Sequence, residues 1–208
     1  MRSMWRVLFV LAVASLAIAA LADTSDNFSW NWRDWQELSA RESLRSSALS
    51  KQDKDAITAA IEDRLTEMMS DLEIESESQL RKAALDTRIK MIDLNGDGVP
   101  EVVAQGMADC SPTGNCSLWI LQRKPEGYKV LLAAFGQTFT IQQTSTNGYR
   151  DVVVSMHGSA TESGLTEYRY RGGRYREAGC YSAEWTVREN DGTIRELKEP
   201  RITPCDSP

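Results

Sequence analysis

Asp93-Leu94-Asn95-Gly96-Asp97-Gly98-Val99-Pro100-Glu101 packs four oxygen-bearing side chains into one short run, and the segments on either side of it decide how the chain folds. Arg88-Ile89-Lys90-Met91-Ile92-Asp93 leads in with alternating polar and apolar residues, the period of a strand half buried in a sheet. Val102-Val103-Ala104 leads out as a second strand. An EF-hand loop lies between two helices and closes with a bidentate glutamate at its twelfth position, which here is Ala104, so a helix-borne EF-hand is excluded on both counts. What remains is strand, loop, strand. Asp93, Asn95, Asp97 and Glu101 occupy positions 1, 3, 5 and 9, with the Val99 carbonyl at position 7. Hard oxygen donors suit calcium, and three carboxylates this close repel one another unless a cation lies among them. Gly96 and Gly98 let the backbone curl where a side chain would clash. The competing reading is a plain hairpin in which Asn-Gly and Asp-Gly only turn the chain.

The run resembles the calcium loop of the FG-GAP or VCBS repeat, where a D-x-[DN]-G-[DN]-G-x-x-[DE] pattern bridges two strands of a blade in integrin-type propellers and in many exported bacterial proteins. The resemblance is confined to Asp93–Glu101 and extends only weakly to the flanking strands. It implies calcium as the cofactor, held by Asp93, Asn95, Asp97, Glu101 and the Val99 backbone.

Downstream, Cys116–Gln122, Tyr128–Phe135 and Thr138–Gln143 read as short strands, with a Pro-Glu-Gly turn at residues 125–127. The pattern then returns. Asn147-Gly148-Tyr149-Arg150-Asp151-Val152-Val153-Val154 overlays Asp97-Gly98-Val99-Pro100-Glu101-Val102-Val103-Ala104 at a shift of 50 residues. Tyr168-Arg169-Tyr170 then falls near Trp119, and Gly172-Gly173-Arg174-Tyr175 near Glu126-Gly127-Tyr128. Such periods belong to propeller blades and kindred β-repeats. In the second copy, Gln143 and Ser145 stand at ligand positions 1 and 3, so calcium is not expected there. Two repeats cannot close a propeller, which needs at least about four blades, so another element must cover the sheet. Glu184–Arg188, an Asp191-Gly192 turn and Thr193–Leu197 predict a final hairpin.

The covering element precedes the strands. Ser50 with Asp53 is a helix-start signal, and Ile57, Ile61, Leu65, Met68 and Leu72 recur at three- and four-residue steps, predicting an amphipathic helix of about five turns. A shorter helix is expected over Glu77–Leu85, starting from Ser76 or Ser78. The fold class expected is therefore α+β: N-terminal amphipathic helices packed on an antiparallel sheet of two blade-like repeats, not a closed propeller. Residues 50–208 form one domain, with helices over 50–86 and a β-rich part over 87–208.

Ahead of it, residues 1–22 have the basic start, apolar run and small residues at Ala20 and Ala22 of a cleavable signal peptide. The apolar run from Val7 is short of the ~20 residues a membrane span needs, so the mature chain is not expected to span a membrane. No cysteine lies near the cleavage site, so a lipid anchor is not expected either. Residues 23–49 are a Trp/Ser-rich segment in which Phe28, Trp30, Trp32 and Trp35 either present an aromatic platform to sugars or latch onto the domain behind; Asp34 and Glu37 are placed to cap a short helix from Trp35.

Cleavage removes Arg2 and Arg6 and no acid, so the 24 basic residues become 22 against 30 acidic ones, a net charge of −8 that repels nucleic acid. The four cysteines, Cys110, Cys116, Cys180 and Cys205, are all in the mature part, and an even number in an exported chain reads as disulfides. Of the three pairings four cysteines allow, the expected one joins neighbours, Cys110 to Cys116 and Cys180 to Cys205. His157, the one histidine, has no nucleophile elbow beside it and is expected at a strand end, bonded to a neighbouring loop. The expectation is a periplasmic or secreted, calcium-stabilised binding or interaction module for a protein or glycan partner, with Trp119, Tyr168 and Tyr170 as binding residues if their rings are exposed. The rival is an envelope polysaccharide hydrolase using a carboxylate pair in a deep groove.

Overall fold

The computed structural model describes residues 42–67 and 74–205. Contacts divide the chain into Met1–Trp30 and Asn31–Pro208, and every described residue lies in the second unit. The Trp-rich stretch with its expected helix from Trp35, the signal peptide, and Met68 and Leu72 lie outside the described residues.

Helix α1 spans Lys51–Thr66 and α2 spans Glu77–Asp86. Both start where a serine satisfies amides that have no partner in the first turn. The Ser50 hydroxyl accepts from the Asp53 amide at 3.1 Å, and that of Ser76 accepts from Gln79 at 3.3 Å. The periodic Ile57, Ile61 and Leu65 are the buried face of α1. Asp53 also fixes the helix to the sheet, since Arg123 approaches its carboxylate at 3.2 Å and Tyr128 donates to it at 3.3 Å. The chain ahead of Ser50 already belongs to the domain: Leu44 is fully buried, and its amide donates to Thr87 at 2.8 Å.

Nine strands follow: β1 (Arg88–Ile92), β2 (Glu101–Gln105), β3 (Cys116–Lys124), β4 (Gly127–Gly136), β5 (Thr138–Thr146), β6 (Tyr149–His157), β7 (Glu162–Arg171), β8 (Arg174–Arg188) and β9 (Ile194–Pro204). They form two antiparallel sheets in sequence order, β1 to β4 and β5 to β9. The fold is α+β, and the sheets are two copies of one meander. Ile89 pairs with Ala104 in the first and Phe139 with Val154 in the second, a shift of 50 residues at both partners. Beyond β2 and β6 the shift becomes 47. The β-bulge at Ile120/Leu121 recurs at Glu167/Tyr168, and the partners Leu132 and Val130 recur as Gly179 and Glu177. A bulge is a backbone feature that sequence matching does not show, and here it stands at the same place in both sheets. The three residues lost between the copies come out of the connection that in the first copy carries Cys110.

Period 2 sends alternate side chains of the first sheet to two different cores. Val103, Leu118 and Ile120 meet Phe139, Ile141, Val152 and Val154 between the sheets. Val102, Ala104, Trp119 and Leu121 meet Ile57, Ile61, Leu65 and Ala84 under the helices. Three layers result, helices, sheet and sheet, with β3 buried on both faces. Among the described residues no helix is long and apolar enough to cross a membrane.

Both expected disulfides are present, Cys110–Cys116 with Cα atoms 4.1 Å apart and Cys180–Cys205 at 5.3 Å. The second closes a separation of 25 residues and pins the end of β9, the Cys205 amide donating to Cys180 at 2.9 Å. The chain-entropy model expects its loss to cost about 3 to 4 kcal/mol. The Trp119→Ala variant, which empties the helix-side core, should lose about 3 to 5 kcal/mol in urea titration at an unchanged m-value. A loss under ~1 kcal/mol would contradict this core assignment.

Candidate functional site

The turn between β1 and β2 is held by its own side chains. Asp93 Oδ1 accepts from the amides of Asn95 (3.3 Å) and Gly96 (2.7 Å), while Oδ2 reaches across to Gly98 (3.0 Å). Asn95 Oδ1 accepts from Asp97 N at 2.9 Å, and Asp97 Oδ1 from Val99 N at 2.7 Å. Each alternate side chain thus folds back on the amide two residues along, the Asx-turn geometry natural to Asp and Asn. Gly96 and Gly98 make this curl at φ of +73° and +83°. The amides, that of Gly98 foremost, hold the Asp93 carboxyl below its usual range.

Glu101 closes the loop from behind. It is 1% exposed, its Oε2 accepts the Leu94 amide at 2.9 Å, and its Oε1 accepts from Gln122 Nε2 at 3.3 Å. Burial, with a smaller contribution from Asp97, raises its pKa above the usual range. A buried carboxylate near a second one is costly unless positive charge or further donors reach it.

The loop leans on the second sheet. The Leu94 side chain is buried in the inter-sheet core, and its carbonyl accepts from Arg150 N at 2.8 Å. Asn95 Nδ2 donates to Asp97 Oδ2 at 2.9 Å and to the Tyr149 hydroxyl at 3.1 Å. The same hydroxyl bonds Gln122 Nε2. Tyr149 stacks on Tyr170 with centroids 3.9 Å apart, and Tyr175 meets both edge-on while donating to the Arg150 carbonyl at 2.8 Å. Burial is the main cause of the raised pKa of Tyr170 and of Tyr175, with Glu101 contributing to both.

The five residues expected to hold an ion therefore share one loop, with Val99 at its exposed tip. Among the described residues, no three side chains of Asp, Glu, His or Cys stand close enough to enclose an ion as they are. The donor chemistry nevertheless fits calcium: three carboxylates and one amide oxygen, on a backbone curled by glycines. In the second copy the corresponding segment is a two-residue turn, Asn147 and Gly148, both at positive φ.

The binding residues divide. Trp119, expected as a binding residue only if exposed, fails that condition: it is 3% exposed because β3 turns it toward the helices. Tyr168 and Tyr170 are half-buried beside the inter-sheet core. Gln122, Tyr149 and Tyr175, which the sequence alone does not mark, complete the contact between the loop and the second sheet. The shift of 50 residues places Tyr149 level with Val99, the one hint that the second turn would face the first loop. His157 ends β6, where its amide donates to Asn115 Oδ1 at 2.8 Å and its carbonyl accepts from Asn115 Nδ2 at 3.1 Å, tying it to the Cys110–Cys116 loop.

For the hydrolase reading, Glu162 and Glu184 pair across β7 and β8 in a depression of about 290 Å³. Each already has a partner, Ser182 donating to Glu162 at 2.7 Å and Arg201 lying 3.5 Å from Glu184. No family model, curated protein or solved structure matches the chain.

An added Cβ at Gly98 would meet nothing within 4 Å, so only backbone strain opposes a side chain there. Gly98→Ala should cost about 1 to 2 kcal/mol, and Gly98→Asn less, because Asn tolerates the left-handed region. Equal urea midpoints for Gly98→Ala, Gly98→Asn and the parent would contradict the loop geometry.

Proposed function

We propose that this chain is an exported, calcium-stabilised binding or interaction module, its loop of the FG-GAP or VCBS kind. The observation that carries the reading is the Asp93–Glu101 loop: alternate Asp and Asn side chains folded into a curl, glycines at positive φ, and a buried Glu101 behind them, all between two antiparallel strands. Asp93, Asn95, Asp97, Glu101 and the Val99 carbonyl would hold the ion. Its charge would offset three carboxylates whose repulsion otherwise opposes the packing of the loop on Tyr149 and Leu94. The role is structural, since the loop joins rigid strands and a calcium switch would need a bistable element for the ion to bias.

Two features support export. Residues 1–22 carry the signal-peptide pattern, and both disulfides are of a kind that persists in oxidising compartments. A periplasmic or secreted mature chain of net charge −8 calls for a protein or glycan partner rather than nucleic acid.

Binding to the folded state alone stabilises it by about RT ln(1 + [L]/Kd), so calcium should raise the melting temperature progressively. The Asp97→Ala variant should melt at one temperature with and without the ion. Identical melts of the parent protein in calcium and in chelator would overturn the proposal.

A further inference from the structure

The two sheets leave a second feature that the calcium loop does not use. β4 is the edge of the first sheet, and residues 174–179 of β8 pair with β7 alone because β9 and the Cys205 amide join only from Cys180 onward. These two free edges run side by side, linked at one end by Lys129 Nζ donating to the Gly173 carbonyl at 3.1 Å. Between them lies a depression of about 440 Å³, within the ~300 to 1,000 Å³ of small-ligand sites. Val130, Leu131, Leu132 and Ala133 of β4, with Tyr168 of β7 and Tyr175 of β8, form its apolar lining, and Arg64 from the last turn of α1 joins Arg174 and Arg176 of β8 around it. Glu177 is the one acid in the lining, and Glu67 beside it pairs with Arg64, so three guanidinium groups face two carboxylates, a local positive excess on a chain that is acidic overall. Arg64 Nε is enclosed and donates to no described residue, while the other end of the group reaches Glu67 at 3.4 Å.

We propose that this depression is a binding site for an anionic oligosaccharide, a sugar chain bearing carboxylate or sulfate groups. It rests on the reading of the chain as a binding module and names the class of ligand. Guanidinium forks pair bidentately with planar or tetrahedral oxyanions, which makes arginine rather than lysine the expected residue for such a site. Tyr168 supplies the apolar-bodied ring with a polar tip on which a sugar face rests.

The test is calorimetric titration of the mature, disulfide-intact protein at low salt, without added calcium. The probes are trigalacturonate, its methyl ester, sucrose octasulfate and a glutamate oligopeptide. Trigalacturonate or sucrose octasulfate should bind, and the uncharged ester should not. Arg64→Gln combined with Arg174→Gln should weaken that binding by about tenfold or more, the loss expected for charge-assisted pairs, while the calcium-dependent melting shift stays at its parental value. A parental urea midpoint in the double variant shows it folded whether or not calcium binds, which keeps the two claims separable. Absence of binding by both anionic sugars, affinity untouched in the double variant, or equal binding of the oligopeptide would each overturn the proposal.

Discussion

The interaction on which the rest of the structure depends is the burial of the Glu101 carboxylate at the base of the loop. It sits where β2 begins, accepts the Leu94 amide, and through Gln122 meets the hydroxyl of Tyr149 on the other sheet. That carboxylate fixes Leu94, and Leu94 fixes the sheets, because its side chain fills the inter-sheet core while its carbonyl bonds Arg150. A buried acid in such a position commits the loop to donors on every side. The loop is thus less an appendage of β1 and β2 than the fastening between two copies of one meander.

The two meanders share registers and differ in what covers them. A sheet buried on both faces needs apolar residues without alternation, and β3 has them; its counterpart β7 places Glu167 and Tyr168 at the positions of Ile120 and Leu121. The first copy has the helices on its outer face and carries the acidic loop. The second kept a minimal Asn-Gly turn and gained β9, stapled by Cys180–Cys205. The same bulge recurs in both meanders, while strand order and the late start of β9 pairing leave β4 and the first part of β8 as open edges.

Much of this was legible in the residues because the signals were local and redundant. The serine caps, the stripe of Ile57, Ile61 and Leu65, and the turn residues each reported their own element. The overlay at a shift of 50 residues marked part of the chain as repeated, and the structure pairs the first two strands of each copy in matching register. Legibility ended where three-dimensional partners decide. Trp119 carries the same ring whether it faces solvent or the helices, and only the second layer on β3 settles which. Gln122 and Tyr149 read as ordinary strand residues until the two sheets bring them together. The 47-residue shift after β2 was hidden because the alignment offered no mark for three residues removed from a loop.

The most direct test of this account is amide hydrogen exchange followed residue by residue with calcium and with chelator. Leu94, Gly98 and Arg150 donate the hydrogen bonds that anchor the loop to itself and to the second sheet. Calcium should slow exchange at these three together while leaving the amides of Ile194–Pro204 in β9 unchanged. Exchange at Leu94 and Arg150 that is the same in both conditions, or that slows equally throughout the chain, would contradict a loop that fastens the two sheets around an ion.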